Sequence, residues 1–120
     1  MNLFVNLKRK AMFNLFGGPQ GFENIGPEEF KSKIDEGGVV IDVRQPEELE
    51  DGSVPGHKMI SMRSPDFIEQ LQGLEKGPTY LIYCRSGARS ARTCEALSEL
   101  GHESLFNLNG GIMAWNQHNN

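Results

Sequence analysis

The chain has 120 residues, of which 38% are hydrophobic and 23% charged, with a formal net charge of −4. That length predicts a single domain able to bury a core without disulfide or metal staples. The acidic balance gives no sign of a nucleic-acid partner, and no apolar run approaches the length needed to cross a bilayer.

Residues 1–21 differ from the rest. They carry the basic cluster Lys8-Arg9-Lys10, scattered Leu and Phe, and then Gly17-Gly18-Pro19-Gln20-Gly21, a linker-like stop. We expect a flexible leader here; a membrane-surface contact through residues 1–16 is the less favoured reading. From Phe22 to Gln117 the chain alternates short strands and helices, and 118–120 read as a tail. Phe22 to Ile25 predicts a strand. Gly26-Pro27 opens a helix to about Asp35, with Glu28 and Glu29 at its positive end, and Gly37-Gly38 ends it. Val39 to Val43 is a β-branched run of the kind found in buried parallel strands. Pro46 to Asp51 predicts a short acidic helix, Lys58 to Met62 a strand, and Asp66 to Leu74 a helix with Phe67, Leu71 and Leu74 on one side. Thr79 to Tyr83 is the second buried strand. Ser90 to Leu100 predicts a helix, Ser104 to Leu108 a strand, and Ile112 to Asn116 a last helix. This alternation predicts an α/β fold with a mainly parallel sheet covered on both faces.

The chemistry concentrates at Cys84-Arg85-Ser86-Gly87-Ala88-Arg89-Ser90. A buried strand delivers a thiol to its carboxyl end, where open α/β sheets bind ligands. A glycine-containing loop whose amides can form an anion nest follows, and then a helix N-terminus. With Arg85 and Arg89 nearby, this setting favours a thiolate over an ordinary thiol, which titrates near pH ~8.5. A cysteine merely buried in a turn would not need two arginines and a hydroxyl around it. Cys84 and Cys94 form no Cys-x-x-Cys pair, so neither a disulfide framework nor a zinc site is expected. No metal or other cofactor is expected, and the free thiols suit a reducing compartment, the cytoplasm.

The same stretch resembles the active-site loop of rhodanese-like sulfurtransferases. Asp42-Val43-Arg44 followed by Glu48 resembles that family's strand-end element. Gly52-Ser53-Val54-Pro55-Gly56-His57 resembles its Gly-x-Ile-Pro-Gly-Ala segment, with Val54 and His57 as departures. Leu97 to Gly101, then Leu108-Asn109-Gly110-Gly111-Ile112 and Trp115, resembles its C-terminal signature. The match runs from about Phe22 to Gln117 and implies a single rhodanese-like domain with no inactive twin. It implies that Cys84 carries sulfane sulfur as a persulfide. By the same resemblance, Arg85, Ser86, Gly87, Ala88 and Arg89 form the loop whose amides surround the sulfur, and both arginines attract an anionic donor. The donor would be thiosulfate or a persulfide. The acceptor would be cyanide in vitro, and a low-molecular-weight or protein thiol in the cell. Phosphate-handling cysteine enzymes typically resemble Cys-x5-Arg, whereas here the loop is Cys84-x4-Arg89, which argues against a phosphatase or arsenate reductase. A binding module with the fold but no turnover is the other rival reading.

Three residues are expected to support the loop. Arg44 is expected to pair with Glu48 or with loop carbonyls, and Asp42 to orient the catalytic loop by accepting its backbone hydrogen bonds. Cys94 is expected to be a packed, inert thiol about three helical turns from the loop. His57 is expected to be a loop histidine without a role, and Asn109-Gly110-Gly111 to close the last strand-to-helix turn near the site.

Overall fold

The computed structural model describes residues 21–119; the N-terminal arm expected to be a leader, apart from Gly21, and the end of the expected tail at Asn120 lie outside the described residues. Five strands form one sheet: β1 (Glu23–Ile25), β2 (Val39–Asp42), β3 (Lys58–Met59), β4 (Tyr80–Tyr83) and β5 (Leu105–Leu108). Their order is β1-β5-β4-β2-β3, and every neighbouring pair is parallel. Four α-helices, α1 (Pro27–Asp35), α2 (Phe67–Gln72), α3 (Ala88–Glu99) and α4 (Gly111–Asn119), and a 3-10 helix at Pro46–Asp51 complete the domain. Among the described residues no helix is long and apolar enough to cross a membrane.

The centre of the sheet is β4, whose four residues are all buried. Side chains alternate across a strand, and here each set meets its own core. Leu81 and Tyr83 join Phe30, Val40, Leu108, Ile112 and Trp115 on the side of α1 and α4. Tyr80, Ile82 and Cys84 join Ile41, Val43, Leu71, Cys94 and Leu97 on the side of α2 and α3. Sealing both faces is why β2 and β4 read as continuous apolar runs rather than as alternating ones. Trp115 packs edge-on against Phe30, ring centres 6.1 Å apart, which fastens α4 to α1.

The predicted elements are all present, most with trimmed ends. The acidic segment Pro46–Asp51 is a 3-10 helix, with a reciprocal cap between the Gln45 and Glu48 side chains and backbones. The strand expected over 58–62 pairs as β3 only at Lys58–Met59, yet the Ile60 and Met62 amides still donate to the Asp42 and Val43 carbonyls at 2.9 and 3.1 Å. Cys94 corrects the expected distance. Ser90, Thr93, Cys94 and Leu97 form one buried stripe of α3, so Cys94 lies one turn from Ser90 and shares the core cluster with Cys84. Burial, and secondarily the nearby Cys84, push its thiol well above the ordinary range, so Cys94 stays protonated.

Because the strands are parallel and closely in register, with Asp42 opposite Tyr83 and Ile25 opposite Leu108, their carboxyl ends share one edge. Cys84 follows directly on β4 at that edge, between the ends of β2 and β5.

Candidate active site

Cys84 is fully buried, and three donors converge on its sulfur. The Gly87 amide lies 3.1 Å from Sγ, the Ser90 amide 3.4 Å, and the Ser90 hydroxyl 3.3 Å. Gly87 makes this possible. It precedes α3 with φ 108°, a left-handed backbone that glycine adopts without a Cβ penalty. The turn swings the first amides of α3 back over the end of β4, where they would otherwise lack partners. Burial pushes the Cys84 thiol up. The Ser90 hydroxyl and the Ser90, Gly87 and Ser86 amides pull it down further, so it titrates below its ordinary value.

The outer side of the loop is tied down by α4. The Ile112 amide donates to the Cys84 carbonyl at 2.9 Å and the Met113 amide to the Arg85 carbonyl at 3.4 Å. With these carbonyls held outward, the loop amides face the sulfur. Gly111 sits so close that a Cβ there would lie 2.3 Å from the Arg85 carbonyl oxygen. The loop is also braced from β5, where the buried Asn107 side chain donates to the Gly87 carbonyl at 3.1 Å and to Asn24 Oδ1 at 2.8 Å.

The acidic and basic residues at the end of β2 are arranged differently from the expectation. Asp42 does not accept from the Cys84 loop. Its carboxylate takes the Arg44 amide at 2.9 Å, the Arg44 guanidinium at 2.8–3.2 Å and the Tyr83 hydroxyl at 2.8 Å. Arg44 is wholly buried, and its partner carboxylate is Asp42 rather than Glu48. It does reach loop carbonyls as expected, donating to Glu48 and Gly52, both at 2.9 Å. The Tyr83 hydroxyl in turn accepts from the Val54 amide at 3.1 Å. One buried network thus joins the ends of β2 and β4 to the 46–54 segment. A buried ion pair of this kind is tolerated because each nitrogen and oxygen of the pair has at least one hydrogen-bond partner.

Glu48 turns instead to Arg89. Its two carboxylate oxygens take the Arg89 Nη1 and Nη2 donors at 2.8 and 2.9 Å. The Arg89 guanidinium holds the Glu48 carboxyl down at about 2, with the Gln45 amide assisting. Of the two loop arginines expected to attract a donor, Arg89 is therefore charge-compensated. Arg85 is exposed, and among the described residues no carboxylate pairs with it.

His57 is half-buried, with Nδ1 2.9 Å from the Val54 carbonyl of its own turn. Gly111 lies at the turn expected to close near the site, whereas Ser90, Tyr83 and Asn107 were given no individual part in it by the sequence. Two of them carried a readable signal: Ser90 is a hydroxyl in the first turn after the loop, and Asn107 is an amide inside an otherwise apolar strand.

A comparison with family models matches residues 26–118 to the Rhodanese-like domain. The chain belongs to that family. Among curated relatives, it is 39% identical over 85 residues to the Bacillus subtilis protein named "Putative sulfurtransferase YtwF", covering 71% of this chain and 80% of that one. It is 35% identical over 80 residues to a protein of Allochromatium vinosum named "Sulfurtransferase", covering 67% and 73%. Among solved structures, a rhodanese-like domain protein of Staphylococcus aureus superposes with a TM-score of 0.67 at 34% identity, covering 78% of this chain and 90% of that one. These relatives support a transferase role in sulfur transfer for the chain.

Proposed function

We propose that Cys84 is the nucleophile of a two-step sulfurtransferase. In the first step its thiolate attacks the sulfane sulfur of a donor, thiosulfate or a persulfide. The donor S–S bond breaks and its electron pair leaves with sulfite or with a thiolate, and Cys84 keeps the sulfur as a persulfide anion. In the second step an acceptor attacks the outer sulfur, and Cys84 departs as thiolate. The acceptor is cyanide in a laboratory assay and a small or protein thiol in the cell. No external oxidant or reductant enters, and the kinetics are ping-pong.

The observation that carries this reading is the convergence of the Gly87 amide, the Ser90 amide and the Ser90 hydroxyl on one sulfur atom. Donors fixed in a buried site stabilise developing anionic charge at little reorganisation cost. The loop closes around Sγ itself at 3.1–3.4 Å, a cradle sized for a sulfur anion rather than for a tetrahedral phosphate. The test is intact-protein mass spectrometry after exposure to thiosulfate and to glutathione persulfide, with Cys84→Ser in parallel. The expected result is a gain of one sulfur atom, reversed by cyanide and absent from the variant. A folded protein with a free Cys84 that gains no sulfur from either donor would overturn the proposal.

A further inference from the structure

The loop sequence carries two guanidinium groups, but the structure treats them unequally. Arg89 lies in a bidentate pair with Glu48, at 2.8 and 2.9 Å. Parallel, two-point contacts of this kind are the strongest form of arginine–carboxylate pairing. The pair is held from both sides. Glu48 belongs to the 3-10 helix that Arg44 fastens through the Glu48 and Gly52 carbonyls, and its Oε2 also accepts the Gln45 amide at 2.9 Å. Arg89 is in the first turn of α3, directly before Ser90. The Glu48 carboxyl, held down at about 2, stays ionised throughout the neutral range. Arg85, the other cation of the loop, is exposed to solvent.

We propose that Glu48 is a specificity-determining residue: by engaging Arg89 in a two-point ion pair it removes one of the loop's two positive charges from donor binding, and so biases the site toward monoanionic persulfides over dianionic thiosulfate. This deepens the sulfurtransferase reading and rests on it. The physical reason is charge arithmetic. Sulfur transfer from thiosulfate brings two negative charges to a thiolate that already bears one, and releases sulfite as a dianion. Transfer from R–S–S⁻ brings one charge and releases one as R–S⁻. Every unit of positive charge cancelled beside Sγ therefore costs the dianion twice the energy that it costs the monoanion. Glu48 acts through Arg89 and touches no reacting atom; it is a positioning residue in that sense.

The experiment is a charge cycle on the pair: wild type, Glu48→Gln, Arg89→Ala and the double variant, each assayed for thiosulfate and for 2-hydroxyethyl persulfide, whose one charge is on its terminal sulfur, with cyanide as acceptor. The local charge of the pair is zero, plus one, minus one and zero across that series. Thiosulfate KM is expected to fall on the order of tenfold in Glu48→Gln and to rise by a similar factor in Arg89→Ala, for one unit charge in a partly solvated site. Persulfide KM should move in the same directions by roughly threefold, the square root of that factor, because it carries half the charge. The double variant should return the ratio of the two KM values close to the wild-type ratio, which a purely structural role of the pair would not do. A donor ratio that stays level across the four proteins overturns the inference while leaving sulfur transfer intact. Failure of the wild type to take sulfur from either donor overturns the parent reading instead. The salt dependence of the wild-type KM values gives a second measurement that needs no variant: a thiosulfate KM rising steeply with ionic strength, as two uncompensated guanidinium charges would make it, also overturns the inference.

Discussion

Ser90 Oγ stands 3.3 Å from Cys84 Sγ, although the two residues are six positions apart in the chain. The relationship exists because Gly87 reverses the backbone and sets Ser90 in the first turn of α3, directly over the end of β4. The Ser90 side chain is fully buried, so its hydroxyl has little choice of partner. It heads the stripe that runs on to Cys94 and Leu97, and packing of that stripe against the sheet fixes its position.

Replacing Ser90 by Ala removes the hydroxyl and leaves the two amides. A hydrogen bond to a charged group contributes about 1.5–3 kcal/mol, so the rate of Cys84 alkylation by iodoacetamide at neutral pH is expected to fall by about tenfold. The midpoint of the alkylation profile should move to higher pH. An unchanged profile would mean that the amides alone hold the thiolate.

Gly111→Ala tests whether α4 truly shapes the loop. The added methyl would meet the Arg85 carbonyl oxygen at 2.3 Å and the Cys84 carbonyl oxygen at 2.5 Å, and the backbone there has φ 59°. The loop backbone has to move. Overpacking of this kind costs about 1–3 kcal/mol, and the displaced amides no longer aim at Sγ. Urea denaturation should report the loss of stability, and sulfur loading followed by mass spectrometry should report a loss of turnover larger than the fold alone accounts for. Full activity with normal stability would show that the contact is readily relieved.

His102 predicts a pH dependence of stability. It is 2% exposed, packs edge-on against Tyr80 with ring centres 5.3 Å apart, and neither ring nitrogen has a partner among the described residues. Burial, and secondarily Lys76, lower its pKa below the ordinary 6.5. The folded protein therefore holds the neutral ring, while the unfolded chain takes up a proton as pH falls past that value. Stability attributable to this group is complete above the unfolded value and is lost as pH drops below it toward the folded one. His102→Phe keeps the ring contact and removes both nitrogens. Denaturant midpoints measured at pH 5 and pH 8 should show the variant gaining more over wild type at pH 5; an equal gain at both would assign no protonation cost to His102.

Much of the frame was legible in order along the chain. The β-branched run Val39–Asp42 and the apolar run Tyr80–Tyr83 announce buried parallel strands because both faces of each are sealed. Pro27 and the glutamates after it mark the start of α1. The thiol loop was equally legible, since a strand, a cysteine, a glycine and a helix start within a few residues can be read locally. The same local logic put Ser90 at the end of the loop motif but gave it no part of its own, because which hydroxyl faces the sulfur depends on how the loop turns.

Partner choice among charges was not legible. Asp42, Arg44, Glu48, Arg85 and Arg89 offer several chemically sensible pairings, and sequence spacing favours Arg44 with Glu48, four residues apart. The fold decides otherwise. Arg44 is buried against Asp42 and beneath the 46–54 segment, where its donors meet main-chain carbonyls, while the Glu48 carboxylate emerges on the side that α3 presents with Arg89. Likewise Asn107 and Gly111 matter because β5 and α4 return to the loop from twenty or more residues along the chain. By itself the sequence determined the strand and helix alternation and the thiol loop, because backbone preference, burial period and turn chemistry act over a few neighbouring residues. Only the tertiary structure decided which arginine is taken into an ion pair, which carboxylate it takes, and what stands behind the loop, because those follow from distances between segments that local chemistry does not constrain.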